Sequence, residues 1–279
     1  MIQKIIKFIQ DAGALALAQQ KDTDFFKSEL KTDTVYSAVT DADMAITKMF
    51  REFVDCEFGD LDYIIVDEET VEELGHDPVT EIKKHEYAFV IDPIDGTLTY
   101  TSKLPYWGII IGVFKNGKPY VGAVYLPGLN TLIYADENAA YVVENGEMKE
   151  LKPLSDTTES PPLLILNTFI IRRNPNLNFK EIQPVQFYSS AVNLLYMALN
   201  RTRGYWFAVH MWDIAGFLPI FKHVGVEVRG MNDGKEFSIF DSDTYKSENL
   251  MVRQLYIASR PKYYDWMKNI TTEEGKGNP

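Results

Sequence analysis

The sequence contains a single cysteine, and this scarcity excludes a disulfide-stabilised scaffold. Cys56 has no second cysteine to pair with, so no disulfide forms within the chain and a reducing compartment is expected. Cys56 lies in a stretch with helical apolar spacing, which predicts a buried structural thiol. Long hydrophobic runs are also lacking. No segment approaches the roughly 20 consecutive apolar residues that a membrane-spanning helix requires, so no membrane partner is expected.

Basic residues are scarce relative to acidic ones. The 28 Lys and Arg residues stand against 40 Asp and Glu residues, which gives a net charge of −12 at pH 7. Proteins that bind nucleic acid present basic faces to the phosphate backbone, so a nucleic acid polymer is not expected as a partner. The first 20 residues have an apolar face but lack the core and cleavage site of a signal peptide. They predict an amphipathic helix and a cytoplasmic protein.

The 279 residues suffice for one large domain or two packed ones. The predicted pattern of helices and strands changes near the middle of the chain. Residues 1–152 read as two helices and a meander of strands, with a turn at Asn116-Gly117. Residues 153–279 alternate helices and strands, and a segment rich in Ser, Thr, Pro and acid separates the halves. The sequence therefore predicts an α+β N-terminal subdomain and an α/β C-terminal subdomain that completes a shared site.

The stretch Asp92-Pro93-Ile94-Asp95-Gly96-Thr97 is the most informative one in the chain. It follows the β-branched and aromatic run 87–91, so a predicted strand delivers two carboxylates to a turn. The Ile94 carbonyl can join these oxygens, and the Gly96 and Thr97 amides can donate to an anion. Hard oxygen ligands beside an anion-binding turn suit a phosphate bridged by Mg²⁺. The structural alternative is a strand end followed by a type I turn.

Further carboxylates occur at the ends of other predicted elements. Glu68 follows the apolar strand 63–66, and Asp43 and Asp213 lie near predicted helix starts. Acidic residues are favoured as helix caps, so capping is the alternative for both aspartates. Pro219 is expected to kink or interrupt the helix predicted over 212–224.

These motifs resemble those of the inositol monophosphatase family, which are Mg²⁺-dependent, lithium-sensitive phosphomonoesterases. The resemblance covers the Asp92–Thr97 stretch, Asp67-Glu68-Glu69-Thr70, Trp212-Asp213-Ile214-Ala215-Gly216 and, more weakly, Val39-Thr40-Asp41-Ala42-Asp43. It implies a layered αβαβα sandwich of the inositol monophosphatase and fructose-1,6-bisphosphatase type. It also implies a homodimer that acts on a small phosphorylated metabolite.

The resemblance also implies roles for individual residues. One ion is expected between Glu68, Asp92, the Ile94 carbonyl and Asp95, and a second between Asp92, Asp95 and Asp213. Thr97, supported by Asp43, is expected to activate water together with Glu68. The Gly96 and Thr97 amides, with Asp95, are expected to surround the phosphate. Two or three Mg²⁺ ions are implied, with Mn²⁺ as a substitute and Li⁺ as an inhibitor.

The chain departs from the family where substrate is expected to bind. Trp206 occupies the place of a glutamate that binds substrate hydroxyls in inositol-specific members, and the segment Tyr188-Ser189-Ser190 is bulkier than the family's glycine-bearing one. Ser189, Ser190 and Trp206 are the candidate substrate contacts. The alternatives to inositol phosphate are 3′-phosphoadenosine 5′-phosphate, a sugar phosphate and histidinol phosphate. A metal-binding regulator on the same scaffold remains a further alternative, and residues 71–86 are expected to form a loop or mobile flap with one short helix.

Overall fold

A computed structural model describes residues 1–21, 29–30, 38–39, 41–68, 71–75, 77–173, 177, 183–246 and 249–270. Thr40, Glu69 and Thr70, which belong to two of the acidic motifs, lie outside these ranges. Within them, no helix is both long enough and apolar enough to cross a membrane.

The described residues form fourteen strands and nine α-helices. The strands are β1 Glu29–Leu30, β2 Ala38–Val39, β3 Tyr63–Asp67, β4 Tyr87–Asp95, β5 Gly108–Lys115, β6 Lys118–Leu126, β7 Thr131–Ala135, β8 Ala140–Glu144, β9 Glu147–Leu151, β10 Leu163–Leu166, β11 Gln183–Val185, β12 Gly204–Phe207, β13 Glu227–Gly230 and β14 Tyr256–Ser259. The α-helices are α1 Ile2–Gln20, α2 Asp41–Phe58, α3 Pro78–Ile82, α4 Thr97–Thr101, α5 Thr168–Arg173, α6 Ser190–Ala198, α7 Met211–Ala215, α8 Phe217–Val224 and α9 Pro261–Asn269.

A seven-stranded sheet contains the central motif. Its strand order follows the chain from β3 to β9, and all neighbours are antiparallel except β3 and β4. Two-residue turns at Asn116-Gly117 and Asn145-Gly146 join hairpins, and all four residues have positive φ, as type I′ turns require. The predicted meander is confirmed.

Helices α1 and α2 cover one face of this sheet. Ile5, Ile9 and Phe50 are fully buried, and they belong to an apolar cluster that includes Phe89 on β4. The amphipathic first helix is therefore confirmed. The prediction of a buried Cys56 is wrong, because the side chain is exposed. The buried residues of α2 include Val54 and Phe58. Cys56 lies two positions from each of them, so its side chain points away from the sheet.

A five-stranded sheet forms in the second half, in the order β11-β10-β12-β14-β13. Strand β10 runs parallel to β11 and β12, whereas β14 is antiparallel to β12 and β13. Helices α6, α7 and α8 belong to one large apolar cluster that also contains side chains from both sheets. On the far face of the small sheet, a separate cluster joins α5 and α9 to β10 and β12. The three clusters thus define five layers, and the predicted αβαβα sandwich is confirmed.

The chain crosses from the seven-stranded sheet to the five-stranded sheet in the segment that is rich in Ser, Thr, Pro and acidic residues. Strand β9 ends at Leu151 and β10 begins at Leu163. The division into subdomains 1–152 and 153–279 stays a prediction, because one apolar cluster joins the two sheets. In the predicted flap, a 3₁₀ turn spans Val71–Leu74 and α3 is the expected short helix. The mobility of this segment also stays a prediction.

Candidate active site

The Asp92–Thr97 motif spans the end of β4 and the start of α4. Asp92 pairs with Ile110 and Asp95 with Gly108, and the register shifts between them. Such an irregularity redirects side chains at a strand end. Gly96 then has φ 88°, and a Cβ added there would lie 2.9 Å from the Ser189 Cβ. Glycine is required here by both the conformation and the space, because it permits the chain to turn directly from strand into helix.

Asp213 joins the two motif aspartates across the layers. Carboxylate oxygens of Asp92, Asp95 and Asp213 all lie within 4.8 Å of one another. Asp92 and Asp95 are only 2% and 5% exposed, respectively. This proximity follows from the close packing of α7 on β5, where a Cβ added at Gly112 would lie 2.5 Å from the Ala215 carbonyl carbon.

Helix α7 is short because of Pro219. A proline ring clashes with the carbonyl four residues earlier, which here belongs to Ala215, the last residue of α7. The predicted interruption of the helix is confirmed. Asp213 also caps this helix: the His210 N–H donates to Asp213 Oδ2 at 2.7 Å. The Asp213 carboxylate therefore both caps α7 and belongs to the group of three acidic side chains.

Asp95 accepts hydrogen bonds from the N-terminus of α6. Its carboxylate receives the Ser189 hydroxyl, the Ser190 N–H at 3.0 Å and the Ala191 N–H at 2.8 Å. The Ser189 hydroxyl also accepts from the Val192 N–H at 3.2 Å, as the cap of α6. The substrate contact predicted for Ser189 stays a prediction, and in this structure its buried hydroxyl positions Asp95.

The carboxylates raise one another's proton affinity. Burial raises the pKa of Asp92 well above its usual range, reinforced by the charges of Asp95, Glu68, Asp213 and Asp43. Burial, with a contribution from Asp213, raises the pKa of Asp95 to about 7 even though its three hydrogen bonds lower it. Ionised carboxylates this close repel, and a divalent cation relieves that repulsion.

A cation fits the donor set. Among the residues that the structure describes, nothing donates a hydrogen bond to the buried Oδ1 of Asp92. Native proteins rarely leave a buried carboxylate oxygen without a partner, so this atom calls for a ligand. The three side chains offer only oxygen atoms, which Mg²⁺ and related hard cations prefer to sulfur or imidazole nitrogen as ligands. Asp92, Asp95 and Asp213 can therefore hold such an ion.

Several other predicted site residues line the cavity that contains the three aspartates, which has a volume of about 240 Å³. Glu68 and Thr97 line it, but Glu68 lies outside the tight group of three carboxylates. The Thr97 hydroxyl donates to the Ile94 carbonyl at 3.2 Å, so two of the predicted functional groups contact each other. Asp43 is 2% exposed in the first turn of α2 and raises the pKa of Asp92.

The substrate role predicted for Trp206 is corrected. Trp206 is fully buried and packs with Leu164 and Met267, on the face of the small sheet that is turned away from the site. Side chains alternate along a strand, so its neighbour Tyr205 faces the site side. Tyr205 lines a second cavity beside Asp95. The alternation of β12 was the available signal, but alignment by motif spacing alone selected the wrong residue.

Two residues that line the cavity were not among the predicted site residues. His210 stacks on Trp212 with ring centroids 4.8 Å apart and planes 3° apart, and both rings line the cavity. Tyr188 lines it from the α6 side and is 47% exposed. The sequence marked the segment of Tyr188 as bulky, but assigned the contact to the two serines that follow.

A five-layer sandwich with an acidic group at the junction of its layers defines a class of metal-dependent hydrolases. The model of the inositol monophosphatase family matches residues 2–269, so the chain belongs to that family and is a phosphomonoesterase. Inositol monophosphatase 1 of Saccharomyces cerevisiae is 27% identical over 252 residues, which cover 81% of this chain and 79% of the relative.

Two further comparisons bear on the fold and the function. Nus factor SuhB of Vibrio cholerae serotype O1 is 27% identical over 168 residues, which cover 56% of this chain and 61% of that protein. A solved structure described as an IMPase/NADP phosphatase complexed with Mg²⁺ and phosphate has a TM-score of 0.74 at 18% identity, and the match covers 97% of this chain and 94% of the other. The structural likeness shows the shared fold.

Proposed function

We propose that the protein hydrolyses a small phosphate monoester with Mg²⁺ as its cofactor and water as the nucleophile. The observation that carries this proposal is the group formed by Asp92, Asp95 and Asp213, whose oxygens lie within 4.8 Å of one another. The orphaned Oδ1 of Asp92 supports it further, because a cation satisfies that atom. Inositol monophosphate is the reference substrate, in keeping with the name of the Saccharomyces cerevisiae relative.

The ligand sets are proposed as follows. Glu68, Asp92, the Ile94 carbonyl and Asp95 hold one ion, and Asp92, Asp95 and Asp213 hold another, with two or three ions in all. Bound Mg²⁺ supplies a lowered water pKa and neutralises charge on the phosphate oxygens. Mn²⁺ has similar ligand preferences and substitutes for it, and Li⁺ inhibits by occupying one position.

The chain's own groups bind and orient the reactants. The Gly96 and Thr97 N–H groups lie at the start of α4, where a helix favours an anion such as phosphate. The Thr97 hydroxyl contacts the Ile94 carbonyl within hydrogen-bonding distance and lines the cavity, so it can orient a water molecule. Glu68, on the same cavity wall, accepts the proton of that water, and the buried Asp43 supports Thr97.

Alternative substrates and a regulatory role are distinct outcomes. The NADP phosphatase in the description of the Mg²⁺ complex favours a nucleotide such as 3′-phosphoadenosine 5′-phosphate, and sugar phosphates or histidinol phosphate are further candidates. The SuhB relative is named a Nus factor, which supports the alternative of a regulatory protein. The net charge of −12 opposes direct contact of such a regulator with nucleic acid. A cytoplasmic homodimer is proposed by analogy with the family.

Phosphate release from a panel of monoesters, with and without Mg²⁺, tests the proposal. Asp95→Asn should lower turnover at least about 100-fold while the protein stays folded, because an amide oxygen in the Oδ2 position still accepts two of the three α6 hydrogen bonds. Asp265→Asn, an exposed substitution on α9, is the matched control and should behave as wild type. Metal-independent release, or full turnover by Asp95→Asn, would refute the proposal. Tight Mg²⁺ binding without any turnover would favour the regulator.

A further inference from the structure

Tyr188 has an unfavourable backbone conformation beside the site. Its φ is +56°, in the left-handed region, where a bulky side chain is uncommon and costs free energy. The next residue, Ser189, caps α6 and donates to Asp95, so the surrounding contacts hold the chain in place. Nearly half of the Tyr188 side chain remains exposed. Strain at an exposed aromatic residue beside an active site indicates a function for that side chain rather than a packing role.

The side chain of Tyr188 lies where two cavities meet. The cavity of about 240 Å³ contains the three aspartates, and a neighbouring one of about 180 Å³ shares only Asp95 and Tyr188 with it. The Tyr188 hydroxyl is 3.4 Å from the Thr168 hydroxyl, which is itself 3.0 Å from Gln186 Oε1. This contact defines the direction of the ring, which forms the boundary between the two cavities.

The second cavity is polar but carries no positive charge. Among the described residues, the walls of both cavities contain no lysine or arginine. The remaining lining of the smaller cavity consists of amides, hydroxyls and a phenol, from Asn167, Gln186, Ser189, Ser190, Asn193 and Tyr205. A second phosphate group would meet no cation in these walls, whereas neutral hydrogen-bonding groups would find partners.

We infer that Tyr188 is a specificity-determining residue that stacks on the leaving group of the substrate. The preferred substrate class is then a monophosphate ester whose alcohol is uncharged and carries a planar ring, in preference to saturated rings and to bisphosphates. Aromatic faces stack on planar rings more favourably than on puckered ones. This inference rests on the proposed function, because it assigns the leaving-group side of the same site.

Benzyl phosphate and cyclohexylmethyl phosphate form a matched test pair. Both are primary alkyl esters of similar size, and they differ mainly in whether the ring is planar. Wild type should show the higher kcat/KM with benzyl phosphate, and Tyr188→Gly should reduce the ratio of the two values about three- to tenfold. Tyr188→Phe, which keeps the ring, should retain the ratio. Lys103→Gly controls for relief of strain, because Lys103 has φ 57° and lines neither cavity.

Binding of benzylphosphonate and cyclohexylmethylphosphonate tests this inference separately from the proposed function. Their C–P bond resists hydrolysis, so calorimetric titration with Mg²⁺ present reports ring selection even if no ester is turned over. Tyr188→Gly should lose the preference for benzylphosphonate, and Lys103→Gly should keep it. Equal ratios in wild type and Tyr188→Gly, for both turnover and binding, would overturn the inference. Failure of every ester to release phosphate, with the binding preference intact, would overturn only the proposed function.

Discussion

Substitution of Gly112 by alanine should displace Asp213 from Asp92 and Asp95 by moving helix α7, rather than by direct contact with the Asp213 side chain. Gly112 lies on β5 beneath the last residue of α7, and an added Cβ would lie 2.5 Å from the Ala215 carbonyl carbon and 2.6 Å from its oxygen. Ordinary contact begins at 3.4 Å, so the shortfall is the difference between 3.4 and 2.5 Å, or 0.9 Å. The contacting atoms are backbone atoms, and no side-chain rotation relieves the overlap. The helix has to move away from the sheet.

The size of this displacement determines the expected effect. Asp213 lies two residues before Ala215 on the same short helix, so it shifts with that helix. Oxygen–Mg²⁺ distances of about 2.0–2.1 Å tolerate changes of only about 0.2 Å. We therefore expect Mg²⁺ affinity to fall at least about tenfold and turnover about 100-fold. The free energy of unfolding should fall by about 1–3 kcal/mol, as is usual for an overpacked core.

Calorimetric titration of Mg²⁺ and urea unfolding of the metal-free protein measure the two effects. Val113→Ala is the matched control, because Val113 is the next residue on β5, fully buried on the opposite face against α1 and α2. It should destabilise the protein by a similar amount but leave Mg²⁺ affinity unchanged. Wild-type Mg²⁺ affinity in folded Gly112→Ala, or an equal loss of affinity in Val113→Ala, would show that helix–sheet spacing does not position Asp213.

Two further outcomes follow from the structure. Because burial and neighbouring charge raise the pKa of Asp92, and raise that of Asp95 to about 7, the folded metal-free protein retains protons that the unfolded chain releases above about pH 4. Its melting temperature should therefore decrease as the pH rises between about pH 5 and pH 8. Saturating Mg²⁺ should reduce the slope of melting temperature against pH. Equal slopes with and without Mg²⁺ in a pH series of thermal melts would contradict this prediction. Trp206→Phe should lower the free energy of unfolding by about 1–3 kcal/mol, through lost packing, and leave KM unchanged; a changed KM in steady-state assays would instead place the ring in the site.

Much of the architecture was predictable because it depends on residues close together in the chain. The spacing of Ile5, Ile9 and their neighbours predicts α1, and Asn116-Gly117 predicts a type I′ hairpin, since both signals depend on local backbone geometry. Pro219 likewise predicts a break in the helix that follows the Trp212-Asp213 motif. The errors arose where orientation matters. Cys56 and Trp206 were each assigned a plausible element but the wrong face of it.

The sequence alone was sufficient to identify the acidic motifs and the family that they resemble, because those signals are short strings of residues in a given order. It did not establish the position of Asp213 relative to Asp92 and Asp95, which are more than a hundred residues away in the chain. That position depends on glycine-permitted contact between α7 and β5, and the side-chain directions of Tyr188 and Tyr205 depend on how α6 and β12 pack. Such relations arise from contacts between distant layers, so they become visible only once the chain is folded.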